Sequence, residues 1–151
     1  MESIHPIVRA IIECNGKILL STPTKANKEF SDSTFFLPGG HVEFMEPIQH
    51  ALTRELIEEI RDGDKVSVGK LAAILECVWD RNGSKYHEIN FIFKCSILGE
   101  NLFDISPNEE HIKFEWHDVG SIASLHILPE SIKSVILEQN VERYTRIITQ
   151  F

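Results

Sequence analysis

The order of apolar patterns along the chain predicts an α/β fold, a sandwich built on a mixed β-sheet. Three observations carry this. Two β-branched runs flank Asn15-Gly16, an apolar stripe at helical spacing runs from Ile48 to Ile60, and further strand-like runs precede a last helical pattern near the C-terminus.

Ile7 to Cys14 and Lys17 to Ser21 are strand-like, and Asn-Gly is the dipeptide most typical of a two-residue hairpin turn. Thr22 to Ser33 is rich in Lys, Asn, Ser and Asp and reads as a loop leading to a short strand at Thr34 to Leu37. Pro47 suits a first helical turn. Ile48, Leu52, Leu56 and Ile60 follow at i, i+4 spacing, so the helix turns that stripe to the core and its glutamates away from it. Val66 to Trp79 reads as one or two strands with a bend or bulge at Gly69. Arg81 to Ser84 is a turn, and Tyr86 to Ile97 alternates imperfectly, as a central strand with Glu88 and Asn90 on its second side. Asn101 to Glu110 is a polar loop, Ile112, Phe114 and Trp116 alternate along another strand, and Pro129 to Gln139 forms a C-terminal helix with Asn140 near its stop.

The 151 residues are expected to form a single domain, 1–151, long enough to bury a sizeable core. A net charge of -8 argues against a nucleic-acid polymer as partner, since phosphate neutralisation needs clustered Lys and Arg. Cys14, Cys77 and Cys95 are too scattered for a disulfide framework or a zinc site and are expected to pack as small buried hydrophobes. No apolar run is long enough to span a membrane, and residues 1–6 lack the blocks of a signal peptide, so a cytoplasmic location without membrane attachment is expected.

On the predicted helix Glu55, Glu58 and Glu59 stand at i, i+3 and i+4, sharing a face, with Arg54 four residues before Glu58. Like charges at these spacings destabilise an isolated helix by roughly 0.2 to 0.5 kcal/mol per pair, and Arg54 offsets only part of it. A glutamate-rich face is more often a solvated surface. Here Gly39, Gly40 and Glu46 stand in register ahead of it, and a hard divalent cation, which takes carboxylate and phosphate oxygens, would supply the missing positive charge.

Gly40, Glu46, Arg54, Glu55, Leu56, Glu58 and Glu59 together resemble the Nudix box. The run Phe35-Phe36-Leu37-Pro38-Gly39-Gly40 is similar to the aromatic-rich entry to that box. The family's closing glycine and aliphatic residue are replaced by Arg61 and Asp62, with Gly63 one further on, as though the helix stop had slid by two residues. Met45 stands where many members have glycine.

The resemblance implies a Nudix fold with helices on both faces of the sheet. It also implies hydrolysis of a nucleoside diphosphate linked to another moiety, by water attacking phosphorus, with Mg2+ as cofactor and Mn2+ able to substitute. By position it assigns Glu55, Glu58 and Glu59 to the metal, together with a backbone carbonyl of Gly39 or Gly40. One of the glutamates, most often at the place of Glu55, would act as base, and Glu58 is the firmest ligand. Arg54 would orient the glutamates, and Glu46 would pair with Arg54 or act as an outer ligand. Glu109 and Glu110 are candidates for a further carboxylate from a later loop.

Trp79, Tyr86 and Phe35 offer aromatic faces to a nucleobase, although such residues more often pack in the core. His87 reads better as a satisfied sheet histidine than as a substrate contact. No proline lies between Pro47 and Pro107, which weakens an ADP-ribose assignment and leaves a nucleoside triphosphate as the default small-molecule substrate, for a monomer or homodimer. Two alternatives stand beside this. One is a non-catalytic Nudix-fold module that senses a nucleotide or binds a protein; the other is prenyl diphosphate isomerisation, which needs a cysteine facing a glutamate across a pocket.

Overall fold

In a computed structural model, which describes residues 3–24, 30–31, 33–99, 105–138 and 143–148, the chain forms a mixed sheet with a helix on each face. The hairpin of β1 (Ile4–Cys14) and β2 (Lys17–Pro23) turns at Asn15 and Gly16, whose φ angles of 49° and 74° are the left-handed values this turn requires. Two short strands follow, β3 (Thr34–Phe35) and β4 (Gly39–His41), then helix α1 (Ile48–Glu59). The second half contains β5 (Val66–Arg81), β6 (Ser84–Ile97), β7 (Ile112–Asp118), β8 (His126–Ile127), helix α2 (Ile132–Leu137) and β9 (Arg143–Ile148).

The strand order is β7-β2-β1-β6-β5-β9, with β4 paired to β1 on a side path. The β1–β6 and β5–β9 pairs are parallel and the other pairs of this sheet antiparallel. β3 and β8 form a small parallel pair of their own. Register slips in β5 between Val68 and Ala73, where the backbone of Gly69 lies against the Lys94 carbonyl, as the glycine predicts.

Both sheet faces are buried, which is why β6 alternates so poorly in sequence. Leu52, Leu56 and Ile60 of the predicted stripe pack with Val8, Ala10, Ile12, Leu19 and Phe93 on one face. On the other, Ile11, Leu75, Cys77 and Ile92 pack with Ile122, Ile132, Val135 and Ile136. Cys14, Cys77 and Cys95 are free and buried, and burial pushes the thiols of Cys77 and Cys95 up to about 11.

Two expectations are corrected. The C-terminal helix spans only Ile132–Leu137, because the chain up to Ser131 is occupied by a turn after the Leu128-Pro129 bond; Asn140 lies outside the described residues. Strand β9, absent from the sequence reading, extends the sheet beside β5. Among the described residues no helix is long and apolar enough to cross a membrane.

Candidate active site

Arg54 is the centre of the acidic cluster. Its Nε and Nη2 donate to the two carboxylate oxygens of Glu46 at 2.8 and 2.9 Å, a fork-to-fork pair. Nη2 also donates to the His41 carbonyl at 2.9 Å, while Nη1 reaches Glu55 Oε1 at 2.9 Å and Glu58 Oε2 at 3.3 Å. One guanidinium therefore gathers the turn before the helix and two helical glutamates. The carboxylates around it push its pKa up, with the hydrogen bond to Glu46 first among the causes.

Glu46 is held from two sides. Besides Arg54 it accepts the Glu43 N–H at 3.0 Å, and these bonds hold its carboxyl down at about 2. The turn that brings it there includes Met45 at a φ of 64°, so methionine adopts the left-handed backbone that glycine would take without strain.

Glu55 and Glu59 are placed by the glycines. A β-carbon on Gly40 would overlap the Glu55 carboxyl group, so only glycine lets that carboxylate lie on the backbone. The Gly39 N–H donates to Glu59 Oε2 at 3.1 Å. Glu59 therefore does not face away from the core, as its helical position implied: burial pushes its carboxyl up to about 7, against the pull of Arg9 and the Gly39 N–H, and Glu55 and Glu109 add to the rise. Glu58 has its side chain 51% exposed and stands at the open end of the cluster.

The displaced stop signal has a structural answer. The helix ends at Glu59, the left-handed position falls to Asp62 with φ 61°, and Gly63 packs against the Leu56 carbonyl, where a β-carbon would collide. The last turn is closed by a distant segment. Asn108 N–H donates to the Glu59 carbonyl at 2.8 Å, Asn108 Nδ2 to the Ile57 carbonyl at 3.1 Å, and Arg61 N–H to the Ser106 carbonyl at 2.8 Å. This docking brings Glu109 into the field of Glu59, with its own carboxylate on His111 at 3.0 Å. The backbone carbonyl of Glu110 accepts the Thr24 hydroxyl at 2.8 Å.

Arg9 was not singled out in sequence. Lying opposite Gly39 on β1, it donates from Nη1 to the Leu37 and Gly39 carbonyls at 3.1 and 3.4 Å and bears on Glu59. The aromatic candidates are engaged elsewhere: Trp79 and Tyr86 stack on each other at 4.3 Å between centroids, and Phe35 packs edge-on against His117. His87 is paired with Glu76 at 3.0 Å, as a satisfied sheet histidine should be.

The cluster thus joins Glu46, Arg54, Glu55 and Glu58, with Glu59 on the adjoining glycine. As arranged, the glutamates turn toward the guanidinium, and among the described residues no three His, Cys, Asp or Glu side chains are gathered for a metal ion. Their chemistry is nonetheless that of a hard-cation site: oxygen donors alone, one of them half-buried and reluctant to ionise without a nearby positive charge.

The family model described as NUDIX domain matches residues 4–138. The chain belongs to the Nudix family. It carries the arginine and glutamates of that family's box. Among solved structures, the MutT protein from Methanosarcina mazei Go1 is 22% identical with a TM-score of 0.67, covering 91% of this chain and 93% of its own. An ADP-ribose pyrophosphatase from Streptococcus suis 89-1591 is 20% identical, TM-score 0.64, covering 93% and 98%. The DNA mismatch repair protein MutT from methicillin-resistant Staphylococcus aureus 252, described as a Nudix family hydrolase, is 26% identical, TM-score 0.61, covering 93% and 100%. This Nudix chain shares its fold with all three.

Proposed function

We propose that this protein, as one Nudix domain over 1–151, hydrolyses the pyrophosphate bond of a nucleoside diphosphate linked to another moiety in a magnesium-dependent reaction. The observation that carries the reading is Arg54 binding Glu46, Glu55 and Glu58 together beside the half-buried Glu59. Glu55, Glu58 and Glu59, with a backbone oxygen from Gly39 or Gly40, would hold the ion, and Mn2+ would substitute. Once bound, a divalent ion withdraws charge from phosphate oxygens and acidifies a coordinated water.

The chain's own groups do the rest. Arg54 engages Oε1 of Glu55 and leaves Oε2 to accept the proton of the attacking water. Glu46 fixes the guanidinium, so the array is preorganised before substrate arrives. Glu58, half exposed, stands where a phosphate chain can approach from solvent. Glu109 is the later carboxylate whose charge bears on Glu59, and it is the additional ligand or base we favour over Glu110.

A nucleoside triphosphate is the default substrate. The ADP-ribose pyrophosphatase among the structural neighbours keeps ADP-ribose in the panel despite the missing proline. The protein acts in the cytoplasm as a monomer or homodimer, without nucleic-acid polymer or membrane partners. The test is phosphate or pyrophosphate release from nucleoside triphosphates, dinucleoside polyphosphates and nucleotide sugars, including ADP-ribose, with and without magnesium. Turnover of at least one, abolished by Glu58→Gln in a folded protein, is expected. Nucleotide binding without any turnover would favour the sensing module instead.

A further inference from the structure

Helix α1 does not close its own C-terminus. A helix that ends on a left-handed glycine folds back and satisfies its last carbonyls itself. Here Ile60 leaves the helix in an extended conformation, φ -111° and ψ 128°, and the left-handed residue comes only at Asp62. The carbonyls of the last turn therefore need donors from elsewhere in the chain.

One residue supplies two of them. Asn108 gives its backbone N–H to the Glu59 carbonyl at 2.8 Å and its Nδ2 to the Ile57 carbonyl at 3.1 Å, so its two acceptors bracket Glu58. The Arg61 N–H on the Ser106 carbonyl and an antiparallel bridge between Ile60 and Pro107 continue the grip, and Ile105 packs against the core on the α1 side of the sheet. Glu109 follows directly, its charge bearing on Glu59. At its other end the same loop is tied to β2, where Thr24 Oγ1 donates to the Glu110 carbonyl at 2.8 Å.

We propose that Asn108 is a positioning residue of the hydrolytic site: it fixes the loop that carries Glu109 at one spacing from the turn that carries Glu58 and Glu59. This rests on the pyrophosphohydrolase reading above. The carboxylates come from segments far apart in sequence, and without the clamp the loop would have to be ordered each time the array assembles, at an entropic cost. Asn108 is exposed, and a hydrogen bond open to water adds little to stability, so its contribution is one of geometry.

The test compares Asn108→Ala with Thr24→Val, which removes the loop's side-chain bond at the end away from α1. Each loses one exposed hydrogen bond, so both should melt within a few degrees of wild type. In metal-free protein the backbone amides at positions 61 and 108 should exchange with solvent about tenfold faster or more in Asn108→Ala, and at the wild-type rate in Thr24→Val. A manganese titration followed by electron paramagnetic resonance should show Asn108→Ala binding the ion about fivefold more weakly or worse. Its kcat should fall by about tenfold or more with KM within about threefold, the split expected when placement of the array is lost and substrate binding is not. Thr24→Val should match wild type within about twofold in both.

Faster exchange with kcat and manganese affinity unchanged would reduce Asn108 to a structural cap and overturn the proposal. A melt lowered by far more than a few degrees would do so as well, as would an equal loss of activity in Thr24→Val, because any loosening of the loop would then suffice. Wild type that turns over no nucleotide, yet binds manganese in an Asn108-dependent way, would sink the hydrolase reading and leave this one standing. Nucleotide turnover indifferent to Asn108 would do the reverse.

Discussion

The Glu55 carboxyl group lies on the Cα of Gly40, in the space a β-carbon at position 40 would occupy. A glycine of β4 and a carboxylate of α1 are thereby locked into one arrangement. Gly40→Ala should push Glu55 off its bond to Arg54 Nη1 and reduce kcat/KM by about 10²-fold, the scale of a misplacement near 1 Å. Because the displaced atoms end a flexible side chain, the melting temperature should move little. Steady-state kinetics beside a thermal melt checks both halves; a large loss of stability with kinetics intact would mean the contact is structural only.

Arg54→Lys should fail to rescue Arg54→Ala. An ammonium cannot span both Glu46 oxygens, the His41 carbonyl and Glu55 together, whereas the guanidinium does so at 2.8 to 2.9 Å. Activity within a few-fold of wild type in the lysine variant would show that charge alone suffices.

The two displaced carboxyls predict opposite pH behaviour. Glu46 is held down at about 2 from 4.5, so its contribution to stability is fully present above pH 4.5 and lost as pH falls toward 2. Denaturant unfolding should therefore show Glu46→Gln less stable than wild type at neutral pH, with the gap closing on acidification. A gap independent of pH would contradict the assigned pairing.

Glu59 runs the other way. Its carboxyl is raised from 4.5 to about 7, so its contribution is fully present below pH 4.5 and lost as pH rises through 7. Metal-free Glu59→Gln, whose amide oxygen can still accept the Gly39 N–H, should be more stable than wild type at pH about 8 by roughly 1 to 3 kcal/mol while losing activity. Equal stability across that range would show the carboxyl to be solvated.

How far the sequence revealed this site depends on the range of the interactions involved. The Asn15-Gly16 hairpin, the Ile48 to Ile60 stripe and the grouping of Glu55 and Glu58 about Arg54 are local, and the structure places them as their patterns imply. Glu59 departs because its neighbour is Gly39, twenty positions earlier in the chain. Arg9 escaped notice because it sits in an apolar strand and acquires its role only through pairing with β4. Glu109 could be named only by position, since Asn108 bonding the end of α1 is what brings it near. Strand β9 pairs with β5, a partner some seventy residues away, and nothing local in its composition announces that.

The slid helix stop gives a further check. Asp62 bears the left-handed backbone at φ 61°, so Asp62→Gly should stabilise the protein by about 0.5 to 1 kcal/mol. Gly63→Ala should destabilise it, because the added carbon meets the backbone of Leu56 and Ile57. Thermal or denaturant unfolding of the two variants, if it ranked them the other way round, would contradict this account of the loop.

The central claim is that the glutamates gathered by Arg54 hold a divalent cation, and its most direct measurement is a manganese titration followed by electron paramagnetic resonance, with a non-hydrolysable nucleotide present. Wild type should bind the ion with saturable stoichiometry, and Glu58→Gln, folded as judged by its melt, should bind it at least tenfold more weakly. Equal affinity in the two proteins would contradict the claim.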